Sequence, residues 1–212
     1  MGRLKVLKSL IKDSLDTITH GSKKYHIWMA VLTLTMLIGM YCYSIQLEEG
    51  LSVTGMSDRV SWGLYISNFT FLVGVAAAAV MLVMPTYVLK DIDFKQAVLI
   101  GEGLAVAALI MCLAFVIADM GGPSVLWHMI PGWGVFNFPN SMLTWDVLVL
   151  NGYLFLNISI PFYILFKHYQ GKGANPRVYI PGAILSVFWA VAIHLVTAFL
   201  YQGLQAKPFW NT

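Results

Sequence analysis

Charge is what this sequence has least of. Of its 212 residues, 11% are Asp, Glu, Lys or Arg, whereas soluble domains carry about a quarter. In their place 58% of the residues are hydrophobic, and the mean hydropathy is +0.73. So little charge over long apolar blocks excludes a cytosolic enzyme, a disordered tail and a nucleic-acid module, and no nucleic-acid partner is expected. Cysteine is scarce too. Cys42 and Cys112 each lie inside an apolar block and show no CxxC spacing. Two thiols so placed cannot by themselves hold zinc or an iron–sulfur cluster, and they give no disulfide framework. No metal site is expected. The period-two alternation of a membrane β-strand, sustained over about ten residues, is also missing.

What is present is five unbroken apolar runs. A hydrocarbon core of about 30 Å takes about 20 helical residues at about 1.5 Å each. The segments 26–46, 62–89, 96–119, 143–169 and 180–204 meet that length. The expected fold class is an all-α integral membrane protein of about five transmembrane helices, a four-helix bundle plus one. The basic residues orient it. Arg3, Lys5, Lys8, Lys12, Lys23 and Lys24 precede the first run; Lys90 and Lys95 follow the second; Lys167, Lys172 and Arg177 follow the fourth. Only Arg59 and Lys207 fall on the other side, so the N-terminus is expected to be cytoplasmic. Residues 1–25 read as a separate basic segment, with 26–212 as the transmembrane bundle. In that segment Leu4, Leu7, Ile11, Leu15 and Ile18 recur at helical spacing among basic residues, which predicts a retained amphipathic helix on membrane lipid.

Polar residues inside the runs need a reason, because an ionisable side chain at a helix centre costs about 2.5–3.5 kcal/mol on insertion scales. The third run holds Glu102 and ends at Asp119; the fourth holds Asp146, Asn151, Tyr153 and Asn157; the fifth holds His194, Thr197 and Tyr201; the second holds Tyr65, Asn68 and Thr70. At about 100° per residue, Asp146, Tyr153 and Asn157 form one stripe and His194, Thr197 and Tyr201 another, and the two are expected to face each other. Asn157 and Thr197 are expected to be hydrogen-bonded glue between helices. Asp146 and His194 are read as functional, with solvated helix caps the alternative for Asp119 and Asp146. The outer connection 121–142 has no charge if His128 is neutral, and it carries Trp127, Pro131, Trp133, Phe136, Phe138 and Pro139. It is expected to lie on or in the membrane as a roof over a lipid-soluble ligand. Gly74, the Ala76–Ala79 run, Gly101, Gly103, Ala105, Ala107 and Ala108 predict close helix approach.

Several strings, in order, resemble one family. Leu51-Ser-Val-Thr-Gly-Met, Val60-Ser-Trp-Gly-Leu-Tyr-Ile-Ser-Asn-Phe-Thr-Phe-Leu-Val-Gly, Trp127-His-Met-Ile-Pro, Phe136-Asn-Phe-Pro, Trp145-Asp-Val-Leu-Val-Leu-Asn-Gly-Tyr and His194-Leu-Val-Thr-Ala-Phe-Leu-Tyr are similar to the NrfD/polysulfide-reductase membrane subunits, nearest to the branch associated with dissimilatory sulfite reduction. The resemblance implies a quinone-interacting subunit of a respiratory complex in the cytoplasmic (inner) membrane of a prokaryote. It implies menaquinol or menaquinone as bound substrate, with no haem or iron–sulfur cluster held by the chain. The implied partners are a periplasmic-side ferredoxin-like iron–sulfur subunit, a multihaem cytochrome c, a cytochrome b and a cytoplasmic iron–sulfur subunit. Such subunits usually continue with a second set of helices, so a shortened form or the N-terminal part of a longer chain is expected. The implied pocket maps here onto Asp146, His194 and Asp119 as proton-handling residues, Tyr65, Asn68, Trp127, His128, Asn151 and Tyr201 as quinone-binding residues, and Glu102 on a proton path.

Other classes remain open on the residues alone. A haem b cytochrome needs paired axial histidines, and only His194 lies well inside a run, although His26 and His168 sit at cytoplasmic ends. A proton-coupled transporter could use Glu102, Asp146 and His194, but no inverted repeat is visible. A structural anchor for redox partners would bind no quinone.

Overall fold

The computed structural model describes residues 3–57, 59–60, 62–83, 95–130 and 132–203. Asp58, Lys90, Pro131, Lys207 and the far ends of the second and fifth expected runs lie outside the described residues. The described residues form, in chain order, the helices α1 (Arg3–Thr19), α2 (Lys23–Glu49), α3 (Leu64–Ala78), the single turn α4 (Val80–Val83), α5 (Lys95–Asp119), α6 (Met142–Tyr169) and α7 (Pro176–Gln202). Two 3₁₀ turns, Leu51–Thr54 and Pro123–Met129, lie in the connections. Among the described residues there is no strand, only an isolated bridge between Ser57 and Val60. The fold is all-α, as the hydropathy pattern requires.

Among the described residues four helices are long and apolar enough to cross a bilayer: α2, α6, α7 and, from Ile100 onward, α5. The described part of the second run is the shorter apolar helix α3, which passes through Ala79, itself in helical conformation, into α4. The N-terminal segment does form a helix of its own, α1. Local chemistry sets the ends elsewhere. The Ser22 side chain accepts from the Tyr25 amide at the start of α2, and Asn175 accepts from the Arg177 amide at the start of α7, where Pro176 takes the first turn. Both caps satisfy amides that have no intrahelical partner.

The chain divides into two compact units. One comprises Met1–Ser61 with Tyr163–Ala174; the other comprises Trp62–Phe162 with Asn175–Thr212. In the first, α1 and α2 meet at a tight elbow. The Tyr25 hydroxyl donates to the Ile18 carbonyl at 2.8 Å, and the two ring nitrogens of His26 lie 3.0 and 3.2 Å from the Ser22 and Thr19 carbonyl oxygens.

The second unit holds the core. Phe69, Val73, Ala76, Leu109, Cys112, Leu150, Tyr153 and Ile193 are buried together, and α3 packs most extensively on α5. Small residues permit that approach, but the alanines carry it. Ala76, Ala77, Ala105 and Ala108 are buried, whereas a side chain added at Gly74 or Gly103 would meet nothing. Between α6 and α7 the opposite holds. A Cβ at Gly152 would overlap the Trp189 indole, whose N–H donates to the Val149 carbonyl at 2.8 Å. Thermal unfolding in detergent should therefore show Gly152→Val destabilised by about 1–3 kcal/mol through overpacking, while Gly103→Ala keeps or raises the Tm because alanine is the better helix former.

Candidate functional site

Most of the polar residues within the apolar spans fall in the second unit, where the buried ones form two layers. The upper layer lies where α3 and α6 begin and α5 and α7 end. Asp146, one turn into α6, is completely buried, and neither carboxylate oxygen has a hydrogen-bond partner. It lies within electrostatic reach of Tyr201 on α7 and Cys112 on α5. The Tyr201 hydroxyl is hydrogen-bonded to Thr70 on α3, and its ring meets Trp62 edge-on at 5.2 Å. Cys112 directs its thiol at the Phe69 carbonyl, 3.7 Å away, and Tyr65 stacks obliquely on Phe115 at 6.1 Å. Four helices thus bring polar groups to one level around a carboxyl whose hydrogen-bonding capacity is unused. In a low-dielectric interior an unpaired polar group is expensive, so Asp146 is the least economical residue in the bundle. Its reading as a solvated cap is overturned: a cap would be exposed.

The lower layer centres on Tyr153. Its hydroxyl donates to the Ala76 carbonyl at 3.4 Å, Asn157 is within hydrogen-bonding range of its side chain, and Glu102 is within electrostatic reach. Glu102 and Asn157 are both buried. The stripe of Asp146, Tyr153 and Asn157 therefore does face inward. The other stripe is split. Thr197 is buried and Tyr201 half-buried, but His194 turns to the edge of the bundle. There it lines an apolar groove of about 370 Å³ with Gly74, Ala77, Ala78, Val80, Val187, Ala190 and Val191. Its Nδ1 lies 2.8 Å from the Ala190 carbonyl. A carbonyl only accepts, so in the neutral ring Nδ1 carries the hydrogen and Nε2 is left as the acceptor. His194 and Tyr201 are seven residues apart, about 10 Å along a helix, so the groove and the Asp146 carboxyl occupy different levels.

Expected glue turns out to be local. Asn157 bonds the Tyr153 carbonyl and Thr197 the Ile193 carbonyl, each at 2.8 Å on its own helix. Side chains of this kind satisfy themselves one turn back, whereas Tyr153, Trp189, Cys112 and the Thr70–Tyr201 pair bond across helices. Asn68 likewise bonds its own helix, at Leu64, at 2.9 Å, half-buried. Asn151 bonds Val147 at 2.8 Å on an exposed face of α6, so it is not gathered with Asp146. Asp119 ends α5 half-buried, with Oδ1 unpartnered.

The aromatic connection is folded rather than loose. Trp127 and His128 sit edge to face at 3.9 Å in the second 3₁₀ turn, both exposed, and that turn contacts α5. Its far end is latched to α6: the Trp145 indole N–H donates to the Pro139 carbonyl at 2.9 Å, and its ring packs on Phe138 at 4.6 Å. The latch is next in sequence to Asp146. Sequence reasoning left out Thr70, Cys112 and Tyr153 as site residues. Thr70 and Tyr153 were visible as polar residues within apolar runs, while nothing in the sequence marked Cys112. Among the described residues no three His, Cys, Asp or Glu side chains converge as a metal would require.

Against known proteins, the family profile of polysulphide reductase, NrfD, matches residues 52–212. The chain belongs to the NrfD polysulphide reductase family. It is a multi-pass membrane protein. One of the subunits of selenate reductase from Mesobacillus selenatarsenatis is 25% identical over 71% of this chain and 34% of its own length. An Hdr-like menaquinol oxidoreductase integral membrane subunit of Archaeoglobus fulgidus is 26% identical over 90% of this chain and 45% of its own. The chain thus spans less than half the length of the curated relatives it matches. No solved structure matches it.

Stability gives a direct check on the upper layer. With no hydrogen bond to lose, Asp146→Asn should keep or raise the Tm of the purified NrfD-family chain. Trp189→Phe, which deletes a cross-helix bond, should lower stability by up to about 1 kcal/mol.

Proposed function

We propose that this chain is the quinone-interacting membrane subunit of a respiratory oxidoreductase complex. In this reading it exchanges electrons between menaquinol or menaquinone and a periplasmic-side iron–sulfur partner in a prokaryotic inner membrane. The observation that carries the reading is the buried Asp146 carboxyl with neither oxygen hydrogen-bonded, a group too costly to keep for packing. The name of the Archaeoglobus relative, a menaquinol oxidoreductase subunit, supports the same class of substrate. A cytochrome b, a cytochrome c and a cytoplasmic iron–sulfur protein complete the proposed assembly, which follows the sulfite-reduction-associated branch.

The two layers divide the work. The groove beside His194 has apolar walls for a ring arriving from the bilayer, and its volume falls in the range of small-molecule sites. His194 Nε2 accepts the first hydroxyl proton as general base. Thr197 and Tyr201 continue along the same face of α7, and Tyr201 passes the proton toward Asp146, whose free oxygens receive it near the end of the bundle. Oxidation of one quinol releases two protons and two electrons. The protons leave by this route and the electrons pass to the partner subunit. In the opposite direction the same groups return protons. Glu102 with Tyr153 and Asn157 forms the start of a route toward the other face, which would couple turnover to proton movement. Asp119, Tyr65, Asn68, Trp127 and His128 surround the outer end, where they shape access.

Quinol-dependent reduction of an artificial acceptor by the assembled complex tests this division. Asp146→Asn should lower kcat by at least about tenfold, the lower side of general acid–base effects, with KM little changed. His194→Ala should raise KM for quinol. In both variants the complex should assemble normally. Unaltered turnover in both would leave a structural anchor as the better reading.

A further inference from the structure

We infer that α1 is an in-plane anchor, which lays the stripe Leu4, Leu7, Ile11, Leu15 and Ile18 into an anionic lipid leaflet while Lys5, Lys8 and Lys12 hold lipid phosphates along one edge. At about 100° per residue the five apolar side chains span about 80° of the helix, and all five are exposed, by 36% at Leu7 to 73% at Leu4. The surprise is what α1 buries instead. Val6, on the far side of the helix from Ile11, is completely buried. Asp13, on that same far side and exposed, interacts electrostatically with the Tyr169 hydroxyl at the end of α6. A helix docked on protein in water turns its apolar stripe inward. Here the chain grips α1 by the opposite face and presents the stripe outward, which is stable only against an apolar medium.

Charge selects the medium. Lys5, Lys8 and Lys12 are exposed, and all three follow on one flank of the stripe, where their ammonium groups reach the headgroup level as the stripe sinks below it. Anionic phosphates complement that row. The elbow adds a third constraint. Tyr25 and His26, in the first turn of the candidate span α2, bond back to the Ile18 and Thr19 carbonyls. The direction of α1 is therefore set by the helix that enters the bilayer. A mobile tail would need no such bonds.

The test uses the full chain with Cys42→Ser in lipid nanodiscs, Cys112 being buried. Spin labels are placed at Ile11→Cys on the stripe and at Asp16→Cys off it. In discs containing phosphatidylglycerol, the label at 11 should collide severalfold more with oxygen than with an aqueous nickel chelate, and the label at 16 should show the reverse. Changing Lys5, Lys8 and Lys12 to Gln should reduce the preference at 11 to its value in phosphatidylcholine discs. Three results would overturn the inference: an aqueous position 11 in anionic discs, immersion that ignores both lipid charge and the lysines, or shielding of 11 from both reagents, as a second copy covering the stripe would give.

Discussion

Keeping a carboxyl group inside hydrocarbon without a hydrogen-bond partner is the constraint on which this structure turns. Asp146 is completely buried, and the bundle around it could have supplied donors, since Thr70, Tyr201 and the Cys112 thiol all come to its level. Instead Thr70 and Tyr201 bond each other and the thiol bonds a backbone carbonyl, leaving both Asp146 oxygens unengaged. A membrane bundle gains little from such a residue by packing and loses several kcal/mol of solvation, on the order of the cost of an unpaired buried polar group. The proposed role, in which a proton arrives and departs, would account for that cost.

The separation of the two layers follows from helix geometry. His194 and Tyr201 stand about two turns apart on α7, which puts the groove and the Asp146 carboxyl at different levels. In the function proposed here they would act as a sequence of steps, with a base at an apolar groove, hydroxyls along one helix and a carboxyl at the bundle end. The alanine seam between α3 and α5 and the Gly152–Trp189 contact between α6 and α7 set the spacing of the four helices.

Much of this could be read from the residues. Continuous apolar runs set the helix class and most boundaries, because hydrocarbon leaves the backbone only helix or closed barrel and a barrel strand would alternate. The inward stripe of Asp146, Tyr153 and Asn157 follows from periodicity. What periodicity could not give was the sense in which a polar residue satisfies itself. Asn157 and Thr197 bond their own helices, and Asn151 sits on an exposed face, choices set by a single side-chain rotation. Nor could it distinguish His194 at the rim from Thr197 in the interior, since both lie on one broad face and only neighbouring helices decide which is covered. The amphipathic pattern of α1 was plain, but which face the protein holds was not; burial of Val6 decides it.

The most direct measurement is photoaffinity labelling of the assembled complex with an azidoquinone, followed by mass spectrometry of this chain. The account predicts adducts on α7 around His194 and on the facing part of α3 between Gly74 and Ala78, with labelling lost when excess menaquinone analogue is present. Competed labelling confined to α2, or to the Trp127–Phe138 connection with α7 untouched, would contradict it.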